Sequence, residues 1–324
     1  MKINRKQQIL AFIKKKGETN AKDIVNHLGI TEAAVFRHLK TLIEQGDLSK
    51  SGTSPKVFYY LNENKSLPTI TFPEAQKAII DSNFYLISPL GKIMEGEAAF
   101  TRWCADRNLD PLKTASDYVN TLAKYDAYKH GDYIDGLEKM RATFPTVYLD
   151  EVYYLDFYSM ERFGKTKLGW LLLHAKQTQN KKLSDTIGAL VKMKILNLII
   201  EKKIDAVGFI PATIRRKVQF QKELERHLNL SLPVINLIKT QNDVAVPQKS
   251  LSKLEDRIAN ARNSIFVSDE RKFNNVLLID DAVGSGATLN ETAKKIKERG
   301  LCTGKIIGLA LTGSFKGFDV INEV

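Results

Sequence analysis

Residues 276–288 read VLLIDDAVGSGAT: a short apolar run, two carboxylates, a loop of small residues, and the first residue before a helical stretch that begins near Leu289. Glycines let backbone N–H groups approach an anion closely. In the loop Gly284, Ser285, Gly286, Ala287, Thr288, the two hydroxyls add donors and the following helix presents the positive end of its dipole. Those parts suit a phosphate monoester. Asp280 and Asp281 beside it would repel a second phosphate, but they accept hydrogen bonds from the vicinal hydroxyls of a ribose. The combination specifies a ribose phosphate. No Lys follows the glycines, so the loop is not a Walker A motif, and Gly284-Ser285-Gly286 lacks the third glycine of a dinucleotide fingerprint. Paired aspartates alone could also bind a metal or end a strand; the apolar run before them and SGAT after them favour the sugar phosphate.

A second set of residues suits a different polyanion. In the helical stretch 31–45, Val35, Leu39, Leu42 and Ile43 form a buried stripe, which leaves Thr31, Phe36, Arg37, His38, Lys40 and Thr41 outside it. Basic and hydrogen-bonding groups on one helix face fit the major groove of duplex DNA. Lys50 and Lys56, in the hairpin that follows, would reach the backbone. Residues 1–65 hold 12 Lys or Arg against 6 Asp or Glu, half of the chain's net charge of +12. That local excess favours DNA over the other use of such a module, protein docking. His27 and His38 have no nearby third ligand and read as ordinary polar residues.

Three helices and a hairpin must position this second set. Gly17, Gly29 and Gly46 stop the helices, Asn20 with Asp23 and Thr31 cap the second and third, and strands 48–50 and 57–61 flank a loop of turn formers, 51–55. Residues 66–146 are expected to be a helical linker, hood or assembly segment, with helices at 74–83, 93–107, 116–128 and 133–142. Trp103, Tyr118, Tyr125 and Tyr128 read there as core or interface. From 147 to 324 the pattern changes. Apolar runs at 207–210, 234–238, 265–267, 276–279 and 306–311 alternate with helical segments, which predicts a doubly wound, mostly parallel α/β sheet with its ligand beyond the carboxyl strand ends. The stretch 148–157 gives no readable pattern.

A length of 324 residues allows two or three such domains. No stretch approaches the ~20 apolar residues of a membrane helix, and no signal-like apolar core follows the basic amino terminus, so a soluble cytoplasmic protein is expected. Cys104 and Cys302 are too few for a disulfide framework or a cysteine zinc site.

The stretch VLLIDDAVGSGAT closely resembles the signature by which type I phosphoribosyltransferases bind phosphoribosyl pyrophosphate (PRPP), and residues 147–312 resemble their ComF branch. Leu172-Leu173-His174-Ala175-Lys176, then Leu183, resembles that branch's segment before its first core strand, and 247–267 resembles its flexible loop, with Gln248, Arg257 and Asn260 at matching spacings. The resemblance implies that Asp280 and Asp281 bind ribose hydroxyls and that Gly284 to Thr288 bind the 5′-phosphate. It implies a pyrophosphate loop at Pro211, Ala212 and Thr213, with Arg215 and Arg216 beside it, and one Mg²⁺ held through PRPP rather than by the protein alone. Were the domain to transfer its sugar to a nucleobase or amine acceptor, Asp280, Asp281 and Arg257 would be its catalytic residues. The chain has Lys217-Val218-Gln219-Phe220-Gln221 where ComF-like proteins have Arg-Gly-Phe-Asn-Gln, and it lacks their amino-terminal zinc segment.

Residues 31–48 likewise resemble the helix-turn-helix and wing entry of winged-helix transcription regulators. The joined arrangement resembles the purine-operon repressors of Gram-positive bacteria. That implies a homodimeric DNA-binding regulator with PRPP as effector; an active Mg-dependent phosphoribosyltransferase and an inactive interaction protein are the alternatives.

Overall fold

In the computed structural model, residues 5–62, 70–88, 91–214, 216–240, 243, 246 and 250–314 are described. Arg215 and Gln248, both expected at the ligand site, lie outside the described residues. The chain separates into two compact units, Met1–Ile70 with Ser88–Lys92, and Thr71–Ile87 with the chain from Ile93 onward.

The first unit runs α1 (Arg5–Lys16), β1 (Glu18–Thr19), α2 (Ala21–Leu28), α3 (Glu32–Glu44), β2 (Leu48–Thr53) and β3 (Lys56–Leu61). Local chemistry sets its helix ends. Asn20 Oδ1 accepts the Asp23 N–H at 2.9 Å to start α2, Gly29 leaves it at φ 61°, and Thr31 Oγ1 accepts the Ala34 N–H at 3.3 Å to start α3. The apolar positions of the three helices, with Leu48 and Tyr59 from the hairpin, then meet in one core. The sheet has the order β1-β3-β2, all antiparallel. The two-residue β1 was not foreseen, being too short to show any alternation.

The second unit begins with α4 (Glu74–Asn83), β4 (Tyr85–Ile87), β5 (Ile93–Glu95), α5 (Gly96–Ala105), α6 (Pro111–Asp126), β6 (Lys129–His130), β7 (Tyr133–Asp135) and α7 (Leu137–Thr143). Residues 93–95 and 133–135, expected to be helical, are strands. Gly96 at φ 62° and Gly131 at φ 65° turn the chain beside them, in a conformation other residues rarely adopt. Trp103, Tyr118 and Tyr125 are buried, and Tyr118 makes edge contacts with Phe84 and Phe163, so these rings are core.

The chain continues through β8 (Glu151–Phe157), β9 (Ser159–Met160), β10 (Gly164–Lys165), α8 (Lys167–Thr178), α9 (Lys181–Glu201), β11 (Ala206–Phe209), α10 (Phe220–Leu228), β12 (Leu237–Lys239), α11 (Leu254–Ser264), β13 (Ile265–Val267), β14 (Val276–Val283), α12 (Ala287–Glu298) and β15 (Ile306–Gly313). The central sheet has the order β11-β14-β15-β8-β7-β6. Its first four strands are parallel, and the β6–β7 hairpin extends it antiparallel from β8. Leu277, Ile279, Ile307, Leu309 and Leu311 pack under α8, α9 and α10. A Cβ on Gly308, which faces the other way, would meet Leu149 at 3.4 Å and Leu289 of α12 at 3.6 Å. Helices therefore cover both faces, the doubly wound arrangement the alternating pattern predicts.

Of the expected sheet strands, the run 234–238 meets the edge of the sheet only at its start, where Val234 bridges Val207 of β11 in parallel, and 265–267 lies elsewhere: β12 and β13 pair with each other as an antiparallel ribbon, which leaves Ile238 and Phe266 exposed. The fourth parallel strand is β8, in the stretch whose pattern could not be read.

Candidate functional site

β14 carries Asp280 and Asp281 near its carboxyl end, where it still pairs with β15. The Asp281 N–H donates to Asp280 Oδ1 at 2.8 Å, which fixes the first carboxylate against the backbone of the second. Immediately after the strand, Gly286 adopts φ 77° as the residue that caps α12, and no acidic side chain stands in that helix's first turn. A non-glycine residue would be strained there. The Ala287 N–H is held by Ser285 Oγ at 3.4 Å, and the positive end of the helix dipole lies at the glycine loop, where it favours an anion.

These residues line a cavity of about 270 Å³, near the lower end of small-molecule sites, roughly 300–1,000 Å³. It brings together Asp280, Asp281, Gly284, Ser285, Gly286, Ala287 and Thr288 with Pro211, Ala212, Thr213 and Arg216 from the loop after β11, and with Arg257. Arg216 Nη1 is buried and has no hydrogen-bond partner among the described residues. A buried guanidinium donor left open toward a cavity suits an anionic ligand.

Arg257 and Asn260 were expected in a flexible loop, and the structure corrects this: both lie in α11, where Glu255 and Asp256 occupy the favourable first turn. Arg257 is buried, and its Nε donates to the Leu251 carbonyl at 2.7 Å. Asn260 does not line the cavity.

Lys176 and Lys239 were not anticipated as site residues. Lys176, from α8, places its Nζ 2.7 Å from Asp281 Oδ2, and Lys239, from β12, lines the same cavity. Burial pulls the Lys239 ammonium below its usual range, and both aspartates oppose that. Burial, then the Asp281 charge, pushes the Asp280 carboxyl up to about 7, against the pull of the Asp281 N–H and the two lysines.

That shift has a definite sign in stability. Asp280 holds its proton more tightly folded than unfolded, so between its ordinary acid range and about pH 7 stability falls as pH rises, and above pH 7 the whole penalty is present. Asp280→Asn keeps the acceptor for the Asp281 N–H and removes the buried charge, while losing the attraction of the lysines. The variant should be more stable than the parent at pH 8, on the order of 1 kcal/mol or about 2–4 °C in Tm, with the gap vanishing toward pH 4. A lower Tm at pH 8 would count against a strained carboxylate.

In the first unit, α3 leaves Phe36, Arg37 and Lys40 exposed, with His38 and Thr41 half-buried. Phe36 is 46% exposed, too open for a core role. Thr31 is committed to its cap, and the Thr41 hydroxyl donates to the Arg37 carbonyl at 3.0 Å. Lys50 and Lys56 are exposed on the hairpin. Among the described residues no group of three His, Cys, Asp or Glu could hold a metal ion, and no helix is long and apolar enough to cross a membrane.

Residues 179–314 match the phosphoribosyl transferase domain family. Residues 5–49 match the family of bacterial regulatory proteins of the arsR type. No curated protein matches the chain. The first match spans β11, β14, α12 and β15 with the cavity's aspartates and glycine loop, and the second spans α1 to α3: the chain joins an amino-terminal arsR-family helix-turn-helix domain to a carboxy-terminal phosphoribosyltransferase domain.

Proposed function

We propose that this protein is a DNA-binding transcription regulator whose phosphoribosyltransferase domain takes PRPP as its effector. The observation that carries the reading is that the carboxylate pair, the glycine loop at the start of α12 and the open Arg216 donor line one cavity, in a chain that also has a helix-turn-helix domain. The amino end of α12 and Gly284 to Thr288 hold the 5′-phosphate. Asp280 and Asp281 accept the ribose hydroxyls. The loop Pro211 to Thr213, with Arg216, receives the pyrophosphate.

Hard oxygen donors suit Mg²⁺, which keeps several waters and binds through few carboxylates. Asp280 and Asp281 would support it together with the ligand's oxygens, and its chemistry there is to neutralise pyrophosphate charge. Calorimetric titration of the full chain with PRPP and Mg²⁺ tests the reading; absence of binding would remove the effector. Release of pyrophosphate with a nucleobase or amine would make the protein a transferase instead.

We place duplex DNA on α3 and the hairpin, and a homodimer fits because two helix-turn-helix modules read paired half-sites. Arg37→Ala in the full chain should weaken operator binding by roughly tenfold or more and relax base choice, whereas Lys50→Ala should weaken all duplexes alike and reduce the salt slope by about 1. Anisotropy titrations across a salt series separate the two. Loss of a protein partner with no DNA bound by either form would favour docking over DNA.

A further inference from the structure

Lys176 stands on α8, far in the chain from the strand and loop that build the sugar-phosphate site, yet its Nζ lies 2.7 Å from Asp281 Oδ2. Both side chains line the cavity. The carboxylate is 14% exposed and the lysine 38%, so the pair is sunk into the protein on its acidic side and reaches solvent on its basic side. An ammonium on such a flexible stem keeps its charge next to the carboxylate while its other donors face outward.

The two aspartates divide their oxygens. Asp280 Oδ1 accepts the Asp281 N–H and Asp281 Oδ2 accepts from Lys176, which leaves one oxygen on each carboxylate for a pair of ribose hydroxyls. Because an ammonium has three donors, Lys176 can keep Asp281 and still donate to oxygens of a ligand. A Mg²⁺ held between a carboxylate and phosphate oxygens bridges the same two kinds of group. The charges in the cavity point the same way. Among its described lining residues, Lys176, Arg216, Lys239 and Arg257 are cationic against the two carboxylates. That formal excess of positive charge suits an anion arriving without a metal, whereas a divalent cation would add to the excess and compete with Lys176 for Asp281.

We propose that Lys176 is a built-in counter-cation, bridging Asp281 and the pyrophosphate of PRPP in the place of Mg²⁺, so that the site takes PRPP in the absence of a divalent cation. The proposal rests on the PRPP reading of the cavity. It makes magnesium dispensable for binding as long as Lys176 is present, and useful once the lysine charge is removed and Asp281 is open to the metal.

Calorimetry on the full chain measures PRPP affinity in excess EDTA and again in excess Mg²⁺. The parent protein should bind in both, with similar affinities. Lys176→Met, which keeps the stem and removes the charge, should bind roughly tenfold or more weaker in EDTA and recover most of that loss in Mg²⁺. The variant should fold, since the lysine head is partly exposed and Met is a good helix former; Lys176→Arg, which keeps the charge, should retain metal-free binding. A parent that binds PRPP only with Mg²⁺ overturns the counter-cation role and leaves the sugar-phosphate site standing. So does a Lys176→Met variant that is unaffected, or that loses affinity equally in both buffers, as a merely structural lysine or a plain phosphate contact would. Failure of the parent to bind PRPP in either buffer overturns the PRPP reading itself.

Discussion

Asp280→Asn combined with Asp281→Asn should abolish binding of PRPP by the full chain. The two carboxylates are the acceptors the cavity offers to a pair of ribose hydroxyls, and each hydrogen bond to a charged group contributes ~1.5–3 kcal/mol. Losing two therefore weakens binding by ~3–6 kcal/mol, about a hundredfold to more than ten-thousandfold, which takes a micromolar ligand out of calorimetric range. Asn preserves the shape and the acceptor that the Asp281 N–H uses. The double variant also frees Lys176 from its ion pair, which would increase the attraction for phosphate; a loss of affinity despite that gain points to the hydroxyl contacts rather than to charge. Operator binding should survive in the same preparation, because Arg37, Lys40, Lys50 and Lys56 belong to the other unit. Unchanged PRPP affinity in a folded double variant would remove the roles assigned to these carboxylates.

The parts of this site that could be read in the sequence are those built from contiguous residues. The strand, the aspartates, the glycine loop and the helix start of 276–288 are made by one local stretch, and the structure keeps them in that order. Caps behave the same way: Asn20 and Thr31 each accept an N–H three residues ahead. Lys176 reaches Asp281 across 105 positions, and no local pattern encodes such a pair. Gln221 appeared only as a residue shared with a family motif; its buried amide, without a hydrogen-bond partner among the described residues, depends on how α10 packs. β8, with the sequence EVYYLDF, was missed because its polar and aromatic residues break both the alternating and the uniformly apolar pattern. β13 was assigned to the central sheet for a related reason. Three apolar residues indicate an extended segment, and they say nothing about which neighbour it will pair with.

Saturating PRPP with Mg²⁺ should weaken binding of the full chain to its operator by roughly 5- to 150-fold, the usual range for linked sites. Reciprocity then requires the operator to weaken PRPP binding by the same factor, so one number is measured twice by independent titrations. The expected direction follows from charge. The chain carries +12 in total, DNA binding draws on that excess through release of condensed cations, and a ligand with several negative charges reduces it. A purely electrostatic effect of this kind fades as salt rises, whereas a change of conformation leaves a coupling that persists at 0.3 M salt and above. Anisotropy titrations of labelled operator at several salt concentrations, with and without PRPP, separate these mechanisms. Asp280→Asn with Asp281→Asn supplies the control, since it should bind operator and ignore PRPP. Equal operator affinity with and without the ligand, in a protein shown to bind both, would end the sensor reading and leave a transferase carrying a helix-turn-helix as the better account.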